Sequence, residues 1–444
     1  MLNCGAAKAN INPELPTHLY GYRDNLISTK IHDDLHVAVL YLKSGKERVA
    51  LLTYDVIVLN AALVDEIQSR CAKETGIPAR AILTTVSHSH STPLSKKFTQ
   101  KVKGAKQDRL DEINTFNALL IERSVEALKA AIGGAEPAAC SYNTTRIREN
   151  LNRRAFFPSG QYFYQPKQKN LLPLCDGIVD DELGVLFFKA AKKEKYIATL
   201  VNYTAHPLTI GDSSTEVSAD YPGVLKREIE ANLGGVALFV NGACGDNHPL
   251  GAEAGLGRCE RMGLALAEKA LYHRWDAVTL ERTPIGSDYR EVILPALTKK
   301  QYDALPQNFS IPYRQPDKTV IKDGGFRTYI SLWAIGPILF AGVPGEITAE
   351  LGLRLKWESP FAKTFVMFLA TDHIGYIPHR NAYAWGGYEV FGSPLAPSAG
   401  TRLCNAIIEA AEDLKVRMEA GGPPLHLPGA TAGAVPRNAP GAAK

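Results

Sequence analysis

The chain has 444 residues, of which 45% are hydrophobic, 22% charged and 8% aromatic. At roughly 100–200 residues per domain, that length suggests two or three domains or one large α/β unit; the composition excludes a disordered chain, a collagen-like repeat and a coiled coil. Lys and Arg number 50 against 46 Asp and Glu, a net charge of +4 that leaves no basic stripe for nucleic acid and no polybasic membrane patch.

In chain order, residues 36–43 (HVAVLYLK) and 48–55 (RVALLTYD) are apolar runs joined by Ser-Gly-Lys-Glu and predict a hairpin. Residues 57–75 carry apolar positions at helical spacing and end at Gly76, a C-cap. The run 80–87 (RAILTTVS) predicts a strand, and 109–131 a long amphipathic helix stopped by Gly133 and Gly134. Further strands are expected at 183–190, 196–202, 236–241, 328–341 and 364–370. Further helices are expected at 223–233, 252–274, 346–357 and 400–419. The alternation predicts an α/β fold, a mixed β-sheet core flanked by helices. One catalytic domain is expected over 1–420, with the polar, Pro- and Gly-containing segment 297–327 as an excursion. Residues 421–444 are mostly Gly, Ala and Pro and predict a flexible tail.

The N-terminus lacks an apolar run of signal-peptide length, and the longest apolar region, Val49 to Val64, contains Asp55 and is too short for a bilayer span. Seven scattered cysteines, odd in number and without a CxxC pair, read as reduced thiols. A cytoplasmic protein is expected.

Candidate chemistry gathers where predicted strands run out into loops, the usual place for α/β enzyme sites. His88 and His90 sit in SHSHSTP, where residues i and i+2 of an extended segment point the same way. They suit a metal ligand and a proton carrier or second ligand, or else two hydrogen-bonded loop residues. His206 follows the strand 196–202 directly. NGACGDNHPL (241–250) packs Asn241, Cys244, Asp246, Asn247 and His248 into a Gly-containing loop without the Gly-Lys-Ser/Thr ending of a P-loop; Cys244 reads as packing. In FAGVPGEITAEL (340–351) a strand turns at Pro344-Gly345 into a helix starting at Glu346, whose carboxylate suits either the helix dipole or a metal. DHIGYIPHRNAYAWGGYEV (372–390) is dense in Tyr, His and Gly and can offer phenol oxygens to a metal or an oxyanion. His88, His206 and Glu346 together form a donor set frequent at catalytic zinc.

In this order the segments resemble the neutral/alkaline (non-lysosomal) ceramidase family. Its T-H-T-H-S motif is similar to Ser87-His88-Ser89-His90-Ser91, its A-V-H to Thr204-Ala205-His206, and its G-D-V-S-P to Gly245-Asp246-Asn247-His248-Pro249. Its P-G-E-F-T resembles Pro344-Gly345-Glu346-Ile347-Thr348. Its G-Y-V-T-T and later Y-E resemble Gly375-Tyr376-Ile377 and Tyr388-Glu389. Asn152-Arg153 and Ile31-His32-Asp33 also look similar, and the resemblance spans about residues 5–415.

The resemblance implies a ceramidase-like metallohydrolase domain with one catalytic Zn2+ held by His88, His206, Glu346 and Tyr376. It implies His90 as proton carrier, with Arg153 and Tyr388 holding the substrate carbonyl and its oxyanion. His32, Asp55 and Asp220 are expected to orient ligand imidazoles from behind. His248 and Asp246 are expected near the substrate, but His248 stands where the family has a serine. That departure, with no family-type C-terminal domain and no membrane-docking segment, turns the expectation from ceramide to a smaller soluble substrate. The expected activity is zinc-dependent amidohydrolysis of a linear or cyclic amide. An ester or lactone hydrolase, ceramide hydrolysis proper, and a non-catalytic binding protein are the alternatives. The expected partner is a small-molecule amide or ester, with no nucleic acid and no membrane insertion; a homo-oligomer fits the size. Asp33, Asp34, Asp180 and Asp181 leave room for an additional structural divalent ion, and His and carboxylate ligands suit metals besides zinc.

Overall fold

The computed structural model describes residues 1–22, 26–98, 106–156, 162–164, 177–212, 214–251, 254–306, 321–322, 325–420 and 425. The predicted hairpin forms from β2 (His36–Ser44) and β3 (Glu47–Tyr54). β1 (Leu2–Asn10) lies antiparallel to β2, and β4 (Ile82–Val86) lies parallel to β3. On the other side of β1 stand β5 (Glu136–Arg146), β6 (Glu182–Ala190), β7 (Tyr196–Tyr203) and β8 (Val236–Asn241). The order is β8-β7-β6-β5-β1-β2-β3-β4, with the short strand Val278–Thr279 added to β5. A second sheet, β9-β10-β11-β12, is formed by Ile285–Pro295, Gly325–Ile335, Ile338–Gly342 and Lys363–Met367. Both sheets mix parallel and antiparallel pairs.

The β2 sequence reads as a nearly unbroken apolar run because both of its faces are covered. Ala38, Leu40 and Leu42 belong to a buried cluster with Trp333 of β10, Phe340 of β11, and Phe365 and Met367 of β12, so the two sheets face each other. Val37, Val39 and Tyr41 point the other way, into a cluster with Leu63, Val64 and Ile67 of α1 (Ala61–Thr75) and Leu120 and Leu128 of α2 (Gln107–Gly133). Helices α3 (Asp220–Leu233) and α4 (Leu256–Tyr272) cover β6, β7 and β8. Helices α5 (Ala349–Glu358) and α6 (Ala399–Glu419) cover the second sheet. The architecture is a helix-sheet-sheet-helix stack, the expected α/β core flanked by helices, with the core divided between two sheets. No helix among the described residues is long and apolar enough to cross a membrane.

Gly76 ends α1 in the left-handed region (φ 67°), as expected, and its N–H bonds to Ala72 O at 2.8 Å. Three expectations are corrected. The strand expected at 328–341 is two strands, β10 and β11, because Gly336 at φ 52° lets the chain reverse. The helix expected from 57 starts at Ala61, leaving 57–60 as a loop. The helix expected from Glu346 starts at Ala349, because Glu346 and Ile347 pair as a short strand with Tyr376 and Ile377. Within 297–327, Leu297, Tyr302 and Leu305 pack with Tyr383, Val390 and Phe391. Residues 307–320 and 323–324 of that segment, and the predicted tail except Leu425, lie outside the described residues.

Candidate metal centre

β3 and β4, β7 and β8, and β11 and β12 are parallel pairs. The chain leaves their carboxyl ends through short loops, where side chains can converge. His88 and His90 follow β4, and His206 follows β7. The loop after β8 carries Cys244, Asp246 and His248. Glu346 follows β11; His373 and Tyr376 follow β12.

The three histidines are oriented from behind by backbone carbonyls. His88 Nδ1 meets Ile57 O at 2.6 Å, His206 Nδ1 meets Cys244 O at 2.6 Å, and His90 Nδ1 meets Gly21 O at 3.1 Å. A carbonyl accepts and never donates, so each Nδ1 carries the proton and each Nε2 presents a lone pair. His88 itself sits in the left-handed region at φ 73°, a conformation costing a non-glycine residue of order 1–3 kcal/mol. The ligand atoms of His88, His90 and His206 lie within 4.8 Å of one another. His90 Nε2 and His88 Nε2 stand 3.3 Å apart, lone pair toward lone pair.

Glu346 closes the cluster. Its Oε2 lies 3.6 Å from His88 Nε2 and 3.5 Å from His206 Nε2. Both nitrogens are acceptors in these tautomers, and the buried Oε2 has no hydrogen-bond partner. Three converging lone pairs beside an orphaned carboxylate oxygen are the donor chemistry of a divalent cation. The residues present therefore fit a metal. Burial pushes the His206 imidazole down to about 4 and drives His90 well below its usual range, with His88 and His206 adding to the His90 shift, so both rings stay neutral at pH 7.

Tyr376 enters through the register of its short strand, which sets it opposite Glu346. Burial and the Glu346 charge push its phenol up. Tyr388 packs edge-on against it at 5.4 Å between ring centroids. The Arg153 guanidinium lies 5.0 Å from the Tyr388 ring and 5.7 Å from the Tyr376 ring. Arg153 Nε donates to Glu389 Oε1 at 2.5 Å, Nη1 to His248 Nε2 at 2.7 Å, and Nη2 to Gly245 O at 3.2 Å. Arg154 Nη1 donates to Glu389 Oε2 at 2.5 Å, so one fully buried carboxylate holds two guanidiniums. The His248 ring also lies tilted against His206, with centroids 5.2 Å apart. All seven residues expected as ligands or catalytic groups thus gather at one edge of the fold.

The residues expected behind the imidazoles stand elsewhere. Asp55 pairs with Lys226 Nζ at 2.5 Å and accepts from the His36 N–H at 3.0 Å. Asp220 accepts from Thr209 Oγ1 at 2.6 Å and from the Tyr221 N–H at 2.7 Å. His32 bonds to Asp33 at 2.7 Å. Carbonyls take the role assigned to these side chains. Asp246, expected near the substrate, accepts from Asn152 Nδ2 and the Ala349 N–H, both at 2.9 Å. The aspartates suggested for a second ion are engaged separately: Asp180 with Lys356, Asp181 with Arg146, Asp34 with Asn12, and Asp33 with the Ala219 N–H. Cys244 is a buried thiol pushed well up by burial; it contributes its carbonyl to His206 and no nucleophile.

Sequence reasoning missed two groups. His373 Nε2 lies 3.3 Å from Glu346 Oε1. Glu389 is 0% exposed between the two arginines. The only signal for either was the density of His, Tyr and Glu in 372–390.

No protein-family model and no curated protein matches the sequence. Solved structures do match. A structure titled "Ceramidase complexed with C2" is 16% identical, with 96% of this chain and 76% of that chain covered at a TM-score of 0.73. The crystal structure of neutral ceramidase from Pseudomonas aeruginosa is 17% identical, with 96% and 75% covered at a TM-score of 0.72. The chain shares the fold of these proteins.

Proposed function

We propose that this chain is a zinc-dependent hydrolase cleaving the amide bond of a small soluble substrate. The observation that carries the reading is the cluster of three Nε2 lone pairs, two of which, from His88 and His206, face the unpartnered, buried Glu346 Oε2. The shared fold with ceramidases, which cleave an amide, supports the choice of bond.

His88, His206, Glu346 and Tyr376 would hold the zinc. Bound there, zinc supplies Lewis acidity and lowers the pKa of a coordinated water from about 15.7 to near 7. His90, neutral because it is buried, accepts a proton at Nε2 from the attacking water and delivers it to the leaving nitrogen as the C–N bond breaks. The products are a carboxylate and an amine. Arg153 and Tyr388, 5.0 Å apart from guanidinium to ring, would receive the carbonyl oxygen as it gains charge, each worth about 10²–10³ in rate. His248, hydrogen-bonded to Arg153 Nη1 at 2.7 Å, would hold that guanidinium in place. Ester or lactone cleavage would use the same groups.

A second assignment has its own observation: His90 Nε2 belongs to the same three-imidazole group as the other two, which favours His90 as a ligand. Metal analysis of His90→Ala separates the two. Retained metal with lost turnover marks a proton carrier; lost metal marks a ligand. The function itself is tested by measuring zinc content and screening metal-loaded protein against N-acyl amines, N-acyl amino acids, lactams and lactones. Absence of stoichiometric metal, or hydrolysis unaffected by His88→Ala, refutes it.

A further inference from the structure

Three imidazoles, His88, His206 and His373, face Glu346, His90 stands beside His88, and their proton positions divide them. In His88, His90 and His206 a backbone carbonyl takes the Nδ1 proton, so Nε2 is a lone pair. His373 is different. Its Nε2 faces Glu346 Oε1 at 3.3 Å, and a carboxylate is acceptor-only, so His373 Nε2 must carry a proton and donate it. The opposite oxygen, Oε2, is the one without a partner, and it lies between His88 and His206.

The His373 backbone is itself anchored. Its N–H donates to Asp372 Oδ1 at 2.8 Å, and the same oxygen accepts from the Ala61 N–H at 2.9 Å. Asp372 Oδ2 accepts from Thr328 Oγ1 at 2.9 Å. This buried carboxylate therefore ties the start of α1, the strand β10 and the 371–375 loop together beneath His373. Thr371 stands at φ 75°, so the loop keeps a costly conformation just before the residue that reaches Glu346. The His373 side chain remains 24% exposed, so its outer edge reaches solvent while Nε2 reaches Glu346.

We propose that His373 is a positioning residue of the metal centre, clamping Glu346 Oε1 so that Oε2 turns toward His88 and His206. The inference rests on the metal-site reading above. His373 binds no metal in this assignment; it fixes the orientation and raises the ordering of a ligand that does. Groups that hold metal ligands from behind typically contribute 10–100-fold in metal affinity.

The test compares wild type, His373→Ala and His373→Gln. Gln places an amide N–H near the position of Nε2. Zn2+ dissociation constants are measured by competition with a chromophoric chelator, and the visible spectrum is recorded for Co2+-loaded protein. Thermal unfolding of each metal-free protein reports folding separately. The expected result is a 10–100-fold weaker Zn2+ constant and a changed Co2+ band intensity for His373→Ala, with His373→Gln restored to within about fivefold of wild type. Equal affinity and identical spectra in all three proteins overturn the inference and leave the metal site standing. Failure of Gln to rescue, with metal-free unfolding lowered equally in both variants, also overturns it, since the loss is then one of folding. Failure of the unmutated protein to bind Zn2+ or Co2+ overturns the metal-site reading and the inference together.

Discussion

Glu389→Gln removes the charge that two buried guanidiniums share. The Glu389 side chain is 0% exposed, Arg153 2% and Arg154 8%, and both pairs close at 2.5 Å. At an effective dielectric near 20, each close pair contributes about 4 kcal/mol of attraction, most of it offset by the cost of desolvating the charges. The native state therefore gains little from the network as a whole. Removing only the shared anion is another matter. Both guanidiniums lose the carboxylate they share, and the amide NH2 of Gln faces one of them donor to donor. The expected loss is about 3–5 kcal/mol in urea unfolding. Arg154→Met in the same background removes one of the two cations, so the double variant should recover about 1–3 kcal/mol relative to the sum of the single changes. Arg153 also loses its Nε anchor, so kcat/KM falls with stability. A loss below about 1 kcal/mol, or strict additivity in the double variant, refutes the argument that Glu389 balances both cations.

His88→Ala should abolish both metal content and turnover, whereas His90→Ala should keep the metal and lose about 10²–10⁴ in rate; metal analysis beside initial rates checks both. Gly245→Ala would place a Cβ 2.5 Å from Glu346 O and 2.7 Å from Ile347 O, both backbone atoms that cannot swing away. The Glu346 strand must then shift, and zinc affinity should fall at least tenfold in chelator competition. For Glu112, burial pushes the carboxyl up, but bonds from the His18 N–H, Thr17, the His18 ring and Arg109 outweigh it and hold the group at about 2. Its folded pKa is thus below the unfolded value of about 4.3, so its contribution is complete above pH 4.3 and is lost as pH falls toward 2. Because Glu112 is partly exposed, that contribution is roughly 1 kcal/mol, seen as a shallower acid limb of the stability curve in Glu112→Gln.

Much of this centre was legible because its residues come directly after apolar runs. His88, His206 and Glu346 each sit within five residues of a predicted strand end, where α/β folds gather functional side chains in loops. The parts that stayed hidden had no side-chain signature. The carbonyls of Ile57, Gly21 and Cys244 that orient the imidazoles are backbone atoms, which every residue possesses. Asp55 and Asp220 look like candidates for that role because carboxylates are visible in a sequence and carbonyls are not. β1 escaped notice for a packing reason. Its middle, Gly5-Ala6-Ala7, carries little strand propensity because α2 lies so close that a Cβ at Gly5 would meet Ala131 O at 1.9 Å. β10 and β11 merged into one run because residues on both sides of Gly336 are equally apolar.

Both sheets contribute to the cluster around Glu346: His88 and His206 come from the larger sheet, Glu346 and His373 from the smaller. A chain with only one sheet formed would own part of the donor set and bind a cation poorly. Metal affinity therefore belongs to the fully docked state, and mass action ties the two together. At free zinc 1,000 times the dissociation constant, occupancy would deepen the native well by about 4 kcal/mol. On the proposed reading, loss of the ion would leave a chain that is less durable as well as idle, with its sheets easier to part and its cleavage by proteases faster.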